Sequence, residues 1–285
     1  MSAEDVASPP ERAAHLPAWL FRVVSPALYH RARRFPVLGA VVRRLFDATV
    51  PHRGLVLFRV QQGPLAGMVF ELDPRTQMDI VVGRYEERVR GVVERVLSGG
   101  DLAFDIGAHL GYFTLMMAKR VGARGRVVAF EPDPSVMEGL RRNARRNGAA
   151  TQAELVLVPA AVDATSGRAG FVEGRETSRG KLVSDRGDHD VEVMVLDDIV
   201  RQFGRPRLVK IDVEGREVGV LEGARDTLAA GATVFVIEAH SSSLEARCRA
   251  MLEAAGYACA ALREPGRAED YLVAWPGSEP SPVSG

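Results

Sequence analysis

The stretch richest in chemistry runs Leu102-Ala-Phe-Asp105-Ile-Gly107-Ala108-His109-Leu-Gly111-Tyr-Phe-Thr114. An apolar run ends in a carboxylate, passes through a glycine-containing turn and opens a helical segment. That order presents backbone N–H groups at the carboxyl edge of a parallel sheet, where ligands bind. Gly107 suits a close backbone approach to a ligand, and Gly111 lets the helix sit near its strand. The dinucleotide fingerprint G-x-G-x-x-G is not matched, because its second glycine position holds His109 and its third holds Tyr112. A carboxylate at Asp105 would repel a pyrophosphate. It suits a ligand with positive charge or N–H and O–H donors, and S-adenosylmethionine has an ammonium, a sulfonium and no phosphate. The next apolar run ends Val127-Val-Ala-Phe-Glu131-Pro-Asp133-Pro, with Glu131 falling 20 residues after Gly111. An acid at that strand tip accepts ribose hydroxyls. The competing role, a carboxylate stabilised at a helix N-terminus, fits Asp133 better.

A second constellation reads Leu208-Val-Lys210-Ile-Asp212-Val-Glu214-Gly215-Arg-Glu217, and a third reads Val234-Phe-Val-Ile-Glu238-Ala-His240. Lys210 and Asp212 are two apart on a strand and share a face. Asp212, Glu214, Glu238 and His240 fall at or beyond strand ends, on the same rim as Asp105. With a methyl-bearing sulfonium there, the chemistry is an in-line displacement, which requires an acceptor oxygen about 3–3.5 Å from the methyl carbon. A hydroxyl acceptor must also lose its proton to a general base. His240 is the first candidate, since an ordinary imidazole titrates near neutrality; Asp212 is the second. Asp212, Glu214 and Glu238 form an alternative ligand set for Mg²⁺ polarising the hydroxyl, although nothing in the sequence requires a metal. Bland readings stand beside these. His240 also fits a capping or solvated loop position, Glu217 a solvated helix residue, and Lys210 a partly buried salt bridge to Asp212 or Glu217, which is the favoured reading for the lysine. Tyr85 and Glu86 either close the site or cap a helix.

The elements that must hold these residues follow from periodicity. Strands are expected at 102–106, 127–131, 155–158, 208–212 and 234–238. Helices are expected at 85–98, 111–122, 134–147, 215–230 and 242–255. Continuous apolar strands alternating with helices predict a parallel sheet covered on both faces. Residues 257–262 and 271–275 read as a closing antiparallel hairpin. The polar segment 160–198 is long enough to carry small strands of its own. Upstream, 54–82 alternate as a hairpin around Gly63-Pro64. Residues 18–50 read as short helices broken by Pro26 and Pro36.

Bulk properties narrow the partners. Lys+Arg and Asp+Glu balance at 37 each, so no global field attracts nucleic acid. Three lysines remain among many arginines, Lys119, Lys181 and Lys210, a bias read as genomic. Cys248 and Cys259 form no CxxC pair and imply neither a disulfide framework nor zinc. No basic, apolar leader opens the sequence, and no stretch is apolar enough to cross a membrane. A cytoplasmic protein is the simplest expectation.

DIGAHLGYFT, FEPDP, the Leu196-Asp197-Asp198 segment, VKIDVEG and VIEAH together resemble the FkbM family of S-adenosylmethionine-dependent methyltransferases, across about residues 83–275. VKIDVEG is the most specific part. The resemblance implies an α/β, Rossmann-like class I methyltransferase sheet of seven strands, the last antiparallel. Around it the chain divides into a disordered N-terminus (1–17), a helical and hairpin extension (18–82), the methyltransferase domain (83–276) and a disordered tail (277–285). It implies methylation of a hydroxyl on a small molecule, sugar or polyketide or glycolipid acceptor. It places Asp105, Gly107, Ala108, His109 and Gly111 around the methionine part, Glu131 at the ribose, Val162 and Asp163 near adenine, and Asp212 and Glu214 near the methyl. His109 departs from the asparagine common in the family. The alternatives are an NAD(P)-dependent reductase, which the missing glycines disfavour, a non-catalytic cofactor-binding module, and an RNA methyltransferase, for which a neutral chain offers no evident groove. Arg175, Arg179 and Lys181 are candidate contacts to an acidic acceptor.

Overall fold

The computed structural model describes residues 55–74, 76–172, 181–183, 187–263 and 270–283. The expected N-terminal disorder, the helices of 18–50, Arg175 and Arg179 lie outside these residues. The chain divides into two compact units, one through Gly83 and one from Arg84. The first contains strands β1 (Val56–Arg59) and β2 (Val69–Leu72), paired antiparallel with Phe58 opposite Phe70, and the short helix α1 (Met78–Val81). The expected hairpin is there, and its alternation buries Val56, Phe58, Phe70 and Leu72.

The second unit opens with α2 (Glu87–Val96), whose Val89, Val92, Val93 and Val96 are buried along one side. It continues as β3 (Leu102–Ile106), α3 (Tyr112–Val121), β4 (Arg126–Phe130), α4 (Pro134–Thr151) and β5 (Glu154–Val158). After an inserted segment come α5 (Leu196–Phe203), β10 (Leu208–Ile211), α6 (Glu217–Glu222), α7 (Arg225–Ala229), β11 (Val234–Ala239), α8 (Ser242–Ala254), β12 (Tyr257–Arg263) and β13 (Asp270–Pro276). Seven strands form one sheet in the order β12-β13-β11-β10-β3-β4-β5. The five from β11 to β5 run parallel, and β13 runs antiparallel between β11 and β12. This is the Rossmann-like arrangement expected from the sequence, with the last strand reversed.

Strand alternation sorts the chemistry from the packing. Phe104, Ile106, Phe130, Val209, Ile211, Phe235 and Ile237 face one side, where Leu196, Ile199, Leu221, Cys248 and Leu252 from the helices cover them. Asp105 pairs across the sheet with Lys210, and Lys210 with Val236, so both charged residues point to the other face.

Three local results bear on these expectations, the first of them in agreement. The inserted segment carries β6 (Ala160–Val162), β7 (Gly167–Val172), β8 (Lys181–Val183) and β9 (His189–Met194), a four-stranded sheet in the order β6-β9-β7-β8. The helix expected at 215–230 is two. Asp197 caps the second one from outside, accepting from the backbone N–H of Asp226 and Thr227 at 2.9 Å each. That carboxylate starts a new helix where apolar periodicity alone continues the old one. Finally, the segment after Gly277, expected to be disordered, is tied down as far as Val283. Arg207 donates to both oxygens of Glu279 at 2.8 and 2.7 Å, and Arg95 Nε donates to the Pro282 carbonyl. No helix among the described residues is long and apolar enough to cross a membrane. Cys248 and Cys259 are free thiols.

The turn after β3 packs directly on the chain leaving β10. Gly107 has φ +81°, and a Cβ there would overlap the Asp212 carbonyl oxygen. Gly107→Ala is therefore expected to lower the Tm sharply. Gly148→Ala, inside α4 with open space around it, is expected to raise stability by about 0.5–1 kcal/mol. Thermal denaturation of both variants checks this; a Gly107→Ala Tm within about 1 °C of wild type would contradict the contact.

Candidate active site

The site lies on the rim where β3, β4, β10 and β11 end. β4 and β10 stop one residue before their acids, so Glu131 and Asp212 stand just outside the sheet, while Asp105 and Glu238 are the penultimate residues of β3 and β11. The β3 turn is fixed by hydrogen bonds from Gly107 and Ala108 N–H to the Phe130 carbonyl, both 2.9 Å. His109 takes φ +50°, an uncommon conformation for a side-chain-bearing residue. Its backbone N–H donates to Glu131 Oε2, and Asp133 N–H donates to Glu131 Oε1, both at 2.9 Å. Burial pushes the Glu131 carboxyl up to about 8 against these two amides, which favour its charged form. Asp133, not Glu131, caps α4, accepting from Ser135 and Val136 N–H.

Asp105 is 1% exposed. Thr114 Oγ1 donates to its Oδ2 at 2.6 Å, while its Oδ1 has no hydrogen-bond partner among the described residues. Burial raises its pKa, opposed by the Lys210 ammonium. A buried, half-satisfied carboxylate costs free energy unless a donor completes it, so this oxygen is a ready acceptor for a cationic or N–H ligand group.

Lys210 is the hub. Its ammonium lies 3.1 Å from Asp212 Oδ2 and 5.0 Å from the centre of the Phe113 ring. Burial alone would lower its pKa; Asp212 and Asp105 more than reverse that, and the amine stays charged. Asp212 is half-buried, and Lys210, then His240, hold its pKa below the usual range against the effect of desolvation. Glu238 goes the other way. Burial, with the Asp212 charge adding to it, pushes its carboxyl up to about 8. Tyr271 Oη donates to its Oε2 at 2.7 Å, and the Glu238 carboxyl hydrogen-bonds Asp212. Two neighbouring acids thus take opposite protonation states. Glu86, in a left-handed conformation before α2, is buried and adds its negative charge to the surroundings of Lys210 and Glu238.

His240 follows β11. Its Nδ1 lies 2.7 Å from Glu217 Oε1, and its Nε2 lies 3.3 Å from Glu214 Oε2 and 3.8 Å from Asp212 Oδ1. Burial disfavours the charged ring, but the Glu217 hydrogen bond and the three carboxylates outweigh it and raise the pKa to about 9. The imidazole is therefore not the ordinary near-neutral titrant expected from its type. Glu214 takes φ +50°, which turns its carboxylate back toward the ring.

The rim thus gathers Asp105, Asp212, Glu214, Glu238 and His240, with Gly107, Ala108, His109, Gly111 and Glu131 forming the adjoining turn and strand tip. Val162 and Asp163 follow the third parallel strand, β5, in the short strand β6 and just after it. Val162 packs in the apolar core with Phe130 and Ile106. The Asp163 carboxylate accepts from Ala164 N–H at 2.8 Å and sits 3.6 Å from Arg216 Nε. Donor atoms of Asp212, Glu238 and His240 fall within 4.8 Å of one another, a different trio from the Mg²⁺ set expected, with His240 in place of Glu214. Lys210 and Tyr271 already serve those carboxylates from within the chain, so no metal is assigned. Glu217, Tyr271 and Thr114 were not read as site residues. Glu217 carried a signal, its place beside Gly215 in VKIDVEG; Tyr271 carried none, since β13 reaches β11 only through the sheet order.

The raised acids set the direction of the pH response. Between about pH 4.5 and 8, the folded chain keeps the Glu238 proton that the unfolded chain has released. Stability from this group is therefore present at low pH and lost as pH rises through 8. His240 acts in the same sense, up to about 9. Glu238→Gln, which mimics the protonated acid, is expected to raise the Tm relative to wild type at pH 8.5 and to change it little at pH 5. An equal difference at both values would contradict the assignment.

The FkbM methyltransferase domain pattern matches residues 105–259, more than half of the chain. The hexuronic acid methyltransferase AglP of Haloferax volcanii is 25% identical over 50% of this chain and 56% of its own length. The methyltransferase sdnD of Sordaria araneosa is 27% identical over 54% of this chain and 72% of its own. The crystal structure of an FkbM methyltransferase from Methylobacillus flagellatus KT matches 63% of this chain and 44% of that one, with a TM-score of 0.52 at 20% identity, a likeness of fold alone. The chain thus spans little more than half the length of the archaeal relative. With the seven-stranded sheet and its acid-lined rim, the matched domain means that this chain belongs to the FkbM methyltransferase family.

Proposed function

We propose that this chain transfers the methyl group of S-adenosylmethionine to a hydroxyl oxygen of a small-molecule, sugar, polyketide or glycolipid acceptor. The observation that carries the reading is the Asp105 carboxylate, buried near the end of β3 with one oxygen unpartnered among the described residues. It stands where a dinucleotide fold would place a phosphate cradle and suits a cationic ligand instead. When bound, S-adenosylmethionine supplies a methyl already activated by a positive sulfur, with a neutral leaving group.

The chain's residues supply the rest. Asp105 and the Gly107–Gly111 turn hold the amino-acid part, and Glu131 accepts the ribose hydroxyls. The buried Asp105 and the half-buried Asp212 provide a negative field that offsets the cation, while Lys210 keeps that field from being excessive. Val162 and Asp163 as neighbours of the adenine remain part of the proposal, carried by Asp163's backbone, since its carboxylate is engaged with Ala164 and lies near Arg216. Asp212, Glu214 and His240 form the partly accessible side of the cluster, where an acceptor hydroxyl meets a base. Once the ring is neutral, as pH rises toward and above about 9, Nε2 of His240 takes the hydroxyl proton; Asp212, held ionised by Lys210, orients the hydroxyl. No divalent cation is required, because Lys210 supplies the local positive charge. The relative named for a hexuronic acid supports a sugar acceptor. Membership in a methyltransferase family removes the support for a nicotinamide-dependent reductase.

Calorimetry on the purified chain is expected to show heat with S-adenosylmethionine and none with NADH. Asp105→Asn is expected to weaken cofactor binding by about 10- to 100-fold, the scale of one lost charge-assisted hydrogen bond. Transfer of radiolabelled methyl to a panel of sugars and uronic acids, before and after dialysis against a chelator, reads turnover. Binding without transfer to any acceptor would favour a non-catalytic module, and tight NADH binding would overturn the reading.

A further inference from the structure

Glu217 stands in the first turn of a short helix, where a carboxylate normally reaches water. Instead its side chain is 0% exposed. Oε1 accepts the Gly215 backbone N–H at 2.9 Å and lies 2.7 Å from His240 Nδ1. Oε2 is buried with no hydrogen-bond partner among the described residues. Removing a carboxylate from water is costly unless both oxygens are satisfied, and the described contacts satisfy only one of them. The arrangement is explicable if its value lies in what Oε1 does to the ring. A carboxylate accepts at Nδ1 only when Nδ1 carries the proton, and this leaves Nε2 as the atom facing Glu214 and Asp212.

We propose that Glu217 is the positioning residue of the reaction: it fixes the Nδ1–H tautomer and the orientation of His240, so that Nε2 is the atom that accepts the acceptor's proton. The inference rests on the reading of His240 as base given above. The balance is simple. As the acceptor oxygen bonds to the methyl carbon, the carbon–sulfur bond breaks with its electron pair remaining on sulfur. The hydroxyl proton passes to Nε2, the imidazolium is held by Glu217, and the proton later leaves to water. Glu217 thereby acts on a proton it never touches, as the buried acid of a Ser-His-Asp triad does.

The groups around the ring are Asp212 and Glu214 from the chain after β10, Glu217 from α6, Glu238 from its own strand, with a carboxylate oxygen within 4.8 Å of a ring nitrogen, Lys210 behind Asp212, and Cys248 of α8 beside Glu217. Only Glu217 touches Nδ1 in this set. Its effect on the ring is therefore separable from the field of the others.

The test reads the ring directly. In the full-length chain with ¹⁵N-labelled histidine, with His240 assigned by difference from His240→Ala, the neutral ring is expected to carry its proton on Nδ1. In Glu217→Gln the titration is expected to move down by a pH unit or more, a tenfold change in proton affinity. With an acceptor, Glu217→Gln is expected to lower kcat by about 10²-fold or more, to leave the S-adenosylmethionine Kd and the acceptor KM within a fewfold, and to shift the alkaline-rising limb of the rate profile to lower pH. Glu217→Asp is expected to recover part of kcat. Unchanged tautomer and titration in Glu217→Gln would overturn the proposal. Should that variant not fold, an Nε2–H tautomer in the wild-type ring overturns it alone. If the chain transfers no methyl at all, the functional reading falls while the tautomer still decides what Glu217 does.

Discussion

A single buried ammonium makes the rim stable. Lys210 sits on the central strand of the sheet with Asp105 beside it in register and Asp212 two residues on. Without it, the carboxylates Asp105, Asp212, Glu238 and Glu86 would crowd a water-poor space with uncompensated charge, at a cost far beyond the stability of an ordinary domain. With it, one acid stays ionised and another stays protonated, and the rim keeps a residual negative character without collapsing. Phe113 covers the lysine on one side, and Tyr85 and Tyr112 pack in turn against Phe113 and each other, with ring centres 4.9 to 6.3 Å apart. Aromatic walls strengthen every charge interaction inside by excluding water.

Strain is spent at the same rim. His109, Glu214 and Glu86 all hold positive φ without being glycine, and each belongs to a segment that bounds the cluster. Such conformations persist only where their surroundings over-determine them. Here the surroundings are visible: Glu131 accepts the His109 amide, and the Gly215 amide following Glu214 is held by Glu217. The backbone strain at Glu214 and the buried acid at Glu217 are parts of one turn, which positions a carboxylate and an imidazole together.

Much of this architecture was legible in the residues. The five parallel strands announced themselves as continuous apolar runs, and their terminal acids marked the rim before any topology was known. Asp133 was readable as a cap because proline follows it. What escaped had physical causes. The break between α6 and α7 is imposed by Asp197, about thirty residues away, so local periodicity could not report it. His240 was legible as a base by type, but its pKa depends on three carboxylates from two other segments. Tyr271 joined Glu238 through a strand insertion that no spacing encodes.

That insertion has a consequence for how the chain comes into being. β13 occupies a slot between two strands made earlier, so the flank of β11 (Val-Phe-Val-Ile) stays without its neighbour while the ribosome adds more than thirty further residues. An unpaired apolar edge invites pairing with other chains, and the nascent protein must be shielded or quick at that stage. Glu238 receives its tyrosine only when the strand docks, so the polar cluster is completed at the final step of sheet assembly, and a partly made chain carries the turn after β3 without the finished rim.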